Sequence, residues 1–153
     1  MKKVELFFIA LLFFTFQTIS AQDTESMYFS KTVEGSFEEV TENVKSVLKE
    51  QGFGVITEVD MDKTLKEKLD NVTMKPYKIL GVCNPSFAYK SLTIEENIGV
   101  FLPCKAIVKE IESNKIEVVI VNPAALMALI NKEGLDVIAE EVSKKFQTAL
   151  EKL

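Results

Sequence analysis

Read from the N-terminus, the chain opens with Lys2 and Lys3 and then an unbroken apolar run, Leu6–Phe14. That run is too short to span a bilayer, and the small residues Ser20-Ala21 follow it. Residues 1–21 therefore read as a secretory signal peptide, with Gln22 as the first mature residue. Beyond it the rhythm of apolar positions changes. Met27–Val33 is aromatic and β-branched and predicts a strand. Ser36 with Glu39 three residues on predicts a capped helix start. Phe37, Val40, Val44, Val47 and Leu48 then fall at helical spacing, and Gly52 supplies the stop, giving a helix over 36–50. Phe53–Val59 reads as the next strand, and the charged stretch Asp60–Asn71 as a solvated helical turn.

Tyr77–Val82 predicts a strand broken at Gly81. Asn84-Pro85 starts a short helical insert over 85–94, with proline at the first helical position. Ile98–Leu102 is apolar throughout and reads as strand, interrupted at Pro103 and resuming over Ala106–Ile111. The polar turn Glu112–Lys115 leads into Ile116–Val121 as the second arm of a hairpin. Asn122-Pro123 caps a buried helix, Ala124–Ile130. Gly134 bends the chain, and Leu135, Ile138, Val142, Phe146, Ala149 and Leu150 mark a closing helix.

The order strand, helix, four strands, helix predicts an α+β domain over residues 22–153. It is an antiparallel sheet with helices packed on one face. If the second sheet face is apolar it needs a cover, and a second copy of the chain is the simplest one, so a homodimer is expected. No apolar run after the leader is long enough to cross a membrane.

Charge narrows the function classes. The chain carries 18 basic against 23 acidic residues, a net charge of −5, with no histidine, no tryptophan and no arginine. An acidic surface without arginine repels phosphodiesters and anionic headgroups, so nucleic acid is not an expected partner. The missing histidine removes the Ser-His-Asp triad, the Cys-His pair and imidazole zinc sites. Any catalysis would fall to Cys, Lys, Tyr or carboxylates, and a non-catalytic domain is favoured over an enzyme. Glu95-Glu96 and Glu140-Glu141 read as solvated faces, and Tyr77 and Tyr89 as packing residues.

The chemistry that remains is the cysteine pair. Cys83 precedes Asn84-Pro85, and Cys104 follows Pro103, so these five residues form the candidate ligand or redox site. Three readings stay open. A Cys83–Cys104 disulfide would close a loop of about 22 residues, worth roughly 3–3.5 kcal/mol. Against it, pairing the strand ending at Val82 with one starting near Ile98 leaves Cys104 on the order of 20 Å from Cys83. The second reading is two buried thiols filling the core. The third is a reactive or soft-metal pair. A helix N-terminus beside Cys83 would lower its pKa, Lys90 and Lys105 would supply charge, and Met74 or Met127 a thioether ligand.

Leu80-Gly81-Val82-Cys83-Asn84-Pro85, then Ala88, Ile98-Gly99 and Leu102-Pro103-Cys104, resemble the two cysteine segments of the Domain of Unknown Function 302 family. Gly52-Phe53-Gly54-Val55 is similar to its turn after the first helix. The resemblance implies a fold of the TATA-binding-protein-like type, usually dimeric, and no established activity; cofactor and metal are left unknown. The sequence thus leads to an exported, secreted or periplasmic homodimeric module that binds a small ligand or an envelope partner. The alternative is a thiol-dependent redox or soft-metal protein using Cys83 and Cys104.

Overall fold

The computed structural model describes residues 26–153; the signal peptide expected over residues 1–21 lies outside them. Strand β1 (Tyr28–Glu34) leads to helix α1 (Phe37–Glu50), then strand β2 (Gly54–Asp60) and helix α2 (Met61–Lys68). Strand β3 (Tyr77–Cys83), helix α3 (Pro85–Ile94) and a 3-10 turn (Glu96–Phe101) follow. The hairpin β4 (Cys104–Glu112) and β5 (Lys115–Val121) leads to α4 (Pro123–Ile130) and the closing helix α5 (Leu135–Glu151). The five strands form one antiparallel sheet in the order β1-β5-β4-β3-β2. The α+β class and the strand-helix-four-strand-helix order are as expected.

Local chemistry explains the elements. The Ser36 side chain accepts the Glu39 N–H at 3.2 Å and opens α1. Val40, Val44, Val47 and Leu48 are its buried face. Gly52 ends it at φ 87°, donating its N–H to the Lys49 carbonyl at 2.9 Å. A left-handed residue there lets the chain reverse and meet the last carbonyls, which glycine does at little cost. The charged stretch after β2 becomes α2, as its residue types favour. Its Asp62 is buried, however, and accepts the Tyr77 N–H at 3.3 Å.

Helices α1 and α5 pack on one sheet face. Val44, Leu48, Phe146 and Ala149 from the helices meet Leu80, Val82, Ala106, Val108, Ile116, Val118 and Ile120 from the strands in one core. Residues directly opposite in paired strands share a face, so the register also defines the second face. There Ser30, Val119, Ile107, Ile79 and Val59 stand in one row across all five strands. Among the described residues no helix covers that row: Ile79, Ile107 and Val119 are half-buried and Val59 is exposed.

Two expected features are corrected. Ile98–Leu102 is not a strand. Glu95 caps the 3-10 turn by accepting the Asn97 N–H at 3.2 Å. Ile98 is then buried against Met127, Leu135 and Ala139 in a second, smaller cluster, away from the sheet. The Leu102–Pro103 peptide is cis, and β4 begins at the next residue, Cys104. Nor does Gly81 break β3, which runs through it to Cys83. A Cβ at Gly81 would come within 2.1 Å of Thr57 Oγ1 and 2.8 Å of Pro103 Cγ, so glycine is what lets both close on the strand.

Candidate functional site

The ends of β3 and β4 carry the two cysteines to one place. Val82 pairs with Cys104 across the strands, and Cys83 pairs with Gly54 on the other side. One residue of offset between neighbouring strands puts the two cysteine Cα atoms about 6 Å apart. The separation of some 20 Å expected from the sequence is therefore wrong. It assumed that β4 began at Ile98, whereas the 3-10 turn takes up that segment and delays the strand to Cys104. Both thiols are free, so the disulfide is absent.

Beside them opens a cavity of about 340 Å³. Val82, Cys83 and Cys104 form its sheet end; Phe87, Ala88 and Ser91 of α3 and Val100 to Leu102 form one side. Leu126 and Met127 of α4, with Leu135, Ile138, Ala139 and Val142 of α5, form the other. Phe53 closes the floor, its ring centroid 4.7 Å from Phe146 and 6.3 Å from Phe87. The wall is almost entirely apolar; Asn84, Ser91 and Lys105 are its polar members.

Each expected site residue has a definite place. Asn84 is the cap of α3: its Oδ1 accepts the N–H groups of Ser86 at 3.0 Å and Phe87 at 3.2 Å. Its Nδ2 donates to the Gly52 carbonyl at 2.9 Å, tying the end of α1 to the start of α3. Pro85 is the first residue of α3, as its fixed φ favours. Pro103 lies over Gly81. Of the two methionines considered as thioether ligands, Met127 lines the cavity with both cysteines; Met74, on the link between α2 and β3, is not in the wall.

The electrostatics of the thiols differ from expectation. Burial raises the Cys83 pKa, although Cys83 stands just before a helix N-terminus. Burial pushes Cys104 up to about 11; the neighbouring Cys83 adds to the rise, and Lys105 pulls against it. Desolvation of a thiolate in an apolar wall outweighs a short helix dipole and one exposed ammonium. Both groups are neutral thiols near neutral pH. Lys90 sits over the Phe87 ring, 6.0 Å from its centroid.

Other candidates are placed apart from the cavity. The Asn97 N–H, and after it Lys132 paired at 3.2 Å, hold the Glu95 carboxyl low. Tyr89 stands in solvent, 75% exposed, where packing had been expected. Among the described residues no group of three or more His, Cys, Asp or Glu side chains is placed to hold a metal. No described helix is long and apolar enough to cross a membrane.

Sequence reasoning did not foresee the cavity wall from α4 and α5. The available signal is that Ala124–Ile130 is apolar on all sides, a pattern that fits a buried helix as well as a cavity wall. Ala125 and Met127 are indeed buried, while Leu129 is 74% exposed.

The fold and site define a small α+β domain with two free thiols at the end of an apolar cavity. The chain belongs to the DUF302 family, "Domain of unknown function DUF302", which matches residues 29–153. It is similar to the crystal structure of an uncharacterized conserved DUF302 protein from Bacillus stearothermophilus, at 31% sequence identity and a TM-score of 0.75. The likeness covers 82% of this chain and 97% of that one. No curated protein matches.

Proposed function

We propose that this domain is a non-catalytic binding module that takes a small apolar ligand into the cavity beside Cys83 and Cys104. The observation that carries the reading is the cavity itself. At about 340 Å³ it falls at the small end of the range typical of ligand sites, roughly 300–1,000 Å³. Its wall combines apolar side chains with few polar groups, as such sites do. Two neutral thiols suit packing against a ligand better than attack on one, since the thiolate is the nucleophile. Titration with 1-decanol, followed by calorimetry, tests it. Saturable one-to-one binding that Ala88→Phe abolishes without lowering Tm is the expected result. Absence of saturable binding to the unmodified protein overturns the reading.

The module is homodimeric in this proposal, two copies meeting through the row Val119, Ile107, Ile79 and Val59, which no described helix covers. It acts outside the cytoplasm, released after Ala21. The N-terminal sequence of the exported protein checks this, Gln22 being the expected first residue.

A second reading is favoured by one observation: Cys83, Cys104 and Met127 border the same cavity. Two thiols and a thioether suit a soft ion such as Cu(I). Competition with a Cu(I) chelator decides it. Equal copper retention by the unmodified protein and by Cys104→Ser excludes a site at this pair.

A further inference from the structure

The cavity wall has an uneven charge. The protein is net negative, with 23 acidic residues against 18 basic ones. Yet no carboxylate lines the cavity, and its one charged residue is Lys105. Lys105 is exposed at the sheet end of the opening, and its Nζ donates to the Pro103 carbonyl. Two other lysines of the sheet have carboxylate partners, Lys78 meeting Asp60 at 3.1 Å and Lys109 meeting Glu117 at 2.8 Å, while Lys31, outside the cavity wall, donates to the Glu151 carbonyl at 3.0 Å. Among the described residues Lys105 forms no ion pair. An ammonium held beside an apolar opening, with no acidic partner, attracts an anion there, and the surrounding acidic surface repels anions elsewhere.

Resting on the cavity reading above, we infer that the ligand is an amphipathic monoanion, a medium-chain carboxylic acid or a molecule of that shape. Its apolar tail lies between α3 and α5, and its carboxylate meets Lys105 at the rim. A volume near 340 Å³ is matched to one short tail. Asn84 does not compete for the head group, because its amide is committed to the Ser86, Phe87 and Gly52 backbone. Ser91, half-buried in the same wall, is the remaining side-chain donor within the opening.

The test compares decanoate with 1-decanol on the unmodified protein, Lys105→Ala and Lys105→Arg, by calorimetry at low and high salt. Decanoate is expected to bind more tightly than the alcohol at low salt, with the difference shrinking as salt rises. Lys105→Ala is expected to weaken decanoate about fivefold, the size of an exposed ion pair, and to leave the alcohol unchanged. Lys105→Arg restores the decanoate affinity. If the alcohol binds as well as the acid, or Lys105→Ala leaves decanoate unaffected, the anionic head group is wrong while the apolar cavity reading stands. If neither compound binds, both fall together.

Discussion

Single side chains decide how closely the site can be assembled. At Gly81 a methyl group has no room between Thr57 and Pro103. Gly81→Ala is expected to destabilise the domain by about 1–3 kcal/mol, the usual cost of overpacking, measured by urea denaturation. Asn122 is fully buried and links three elements. It donates to the Ser26 carbonyl at 2.9 Å, accepts the Ala124 N–H at 3.2 Å and accepts the Ser143 hydroxyl at 2.8 Å. Asn122→Ala leaves those groups without it and is expected to cost about 1–3 kcal/mol, with loss of order at the start of β1.

The thiols make a pH prediction at the same scale. Cys104 has its pKa raised from 9.0 to about 11. Unfolding releases that constraint, so above pH 9 the unfolded chain loses the proton while the folded chain keeps it. The stability contributed by the neutral thiol is complete below pH 9 and is lost as pH climbs toward about 11. Cys104→Ala should therefore flatten the fall in stability over that interval. Alkylation at pH 8, read by mass spectrometry, is expected at Cys83 before Cys104, because Cys104 is the more desolvated. Equal rates at the two positions would contradict the burial argument.

Among the helices, α3 is held loosely. None of its residues is fully buried, and Tyr89 and Leu92 face solvent at 75% and 40% exposure. Its attachment is the Asn84 cap at one end and Phe87 against the core. By contrast α5 buries Leu135, Ala139, Val142, Phe146, Ala149 and Leu150. Few buried contacts mean a low free energy of local opening. Hydrogen exchange should show α3 amides exchanging well before those of α5, and a bound ligand should slow α3 most. Uniform protection across both helices would count against α3 as the movable wall.

For the molecule as a whole, the uncovered sheet face is the feature with a consequence. A row of aliphatic side chains crosses four of the five strands and ends at Ser30 on β1, flanked by Lys109 and Glu117 paired at 2.8 Å. Ile107 stands at the middle strand of that row. Ile107→Lys places a charge where two copies would meet, and burying unpaired charges against each other is costly. Sedimentation should show a dimer for the unmodified protein and a monomer for the variant, with the helix content intact. A monomer in both cases removes the dimer from the proposal.

The main helices, the strands and their order were legible because each depends on neighbours in sequence. Val40, Val44 and Leu48 repeat at the helical period, Ser36 and Gly52 mark the ends of α1, and the polar turn before Lys115 folds the β4–β5 hairpin. The cysteine site was half legible: its residues were picked out by the breaks at Asn84-Pro85 and Pro103, but their separation was misjudged. Ile98 to Leu102 has the composition of a strand. It became a 3-10 turn in which Ile98 is buried against Met127, Leu135 and Ala139. That long-range packing set where β4 starts, and so brought Cys104 level with Val82. The raised thiol pKa values, the cavity between α3 and α5 and the place of Lys105 in its wall follow from the same assembly. All of them arise from groups far apart in sequence meeting in a dry interior, which no local pattern records.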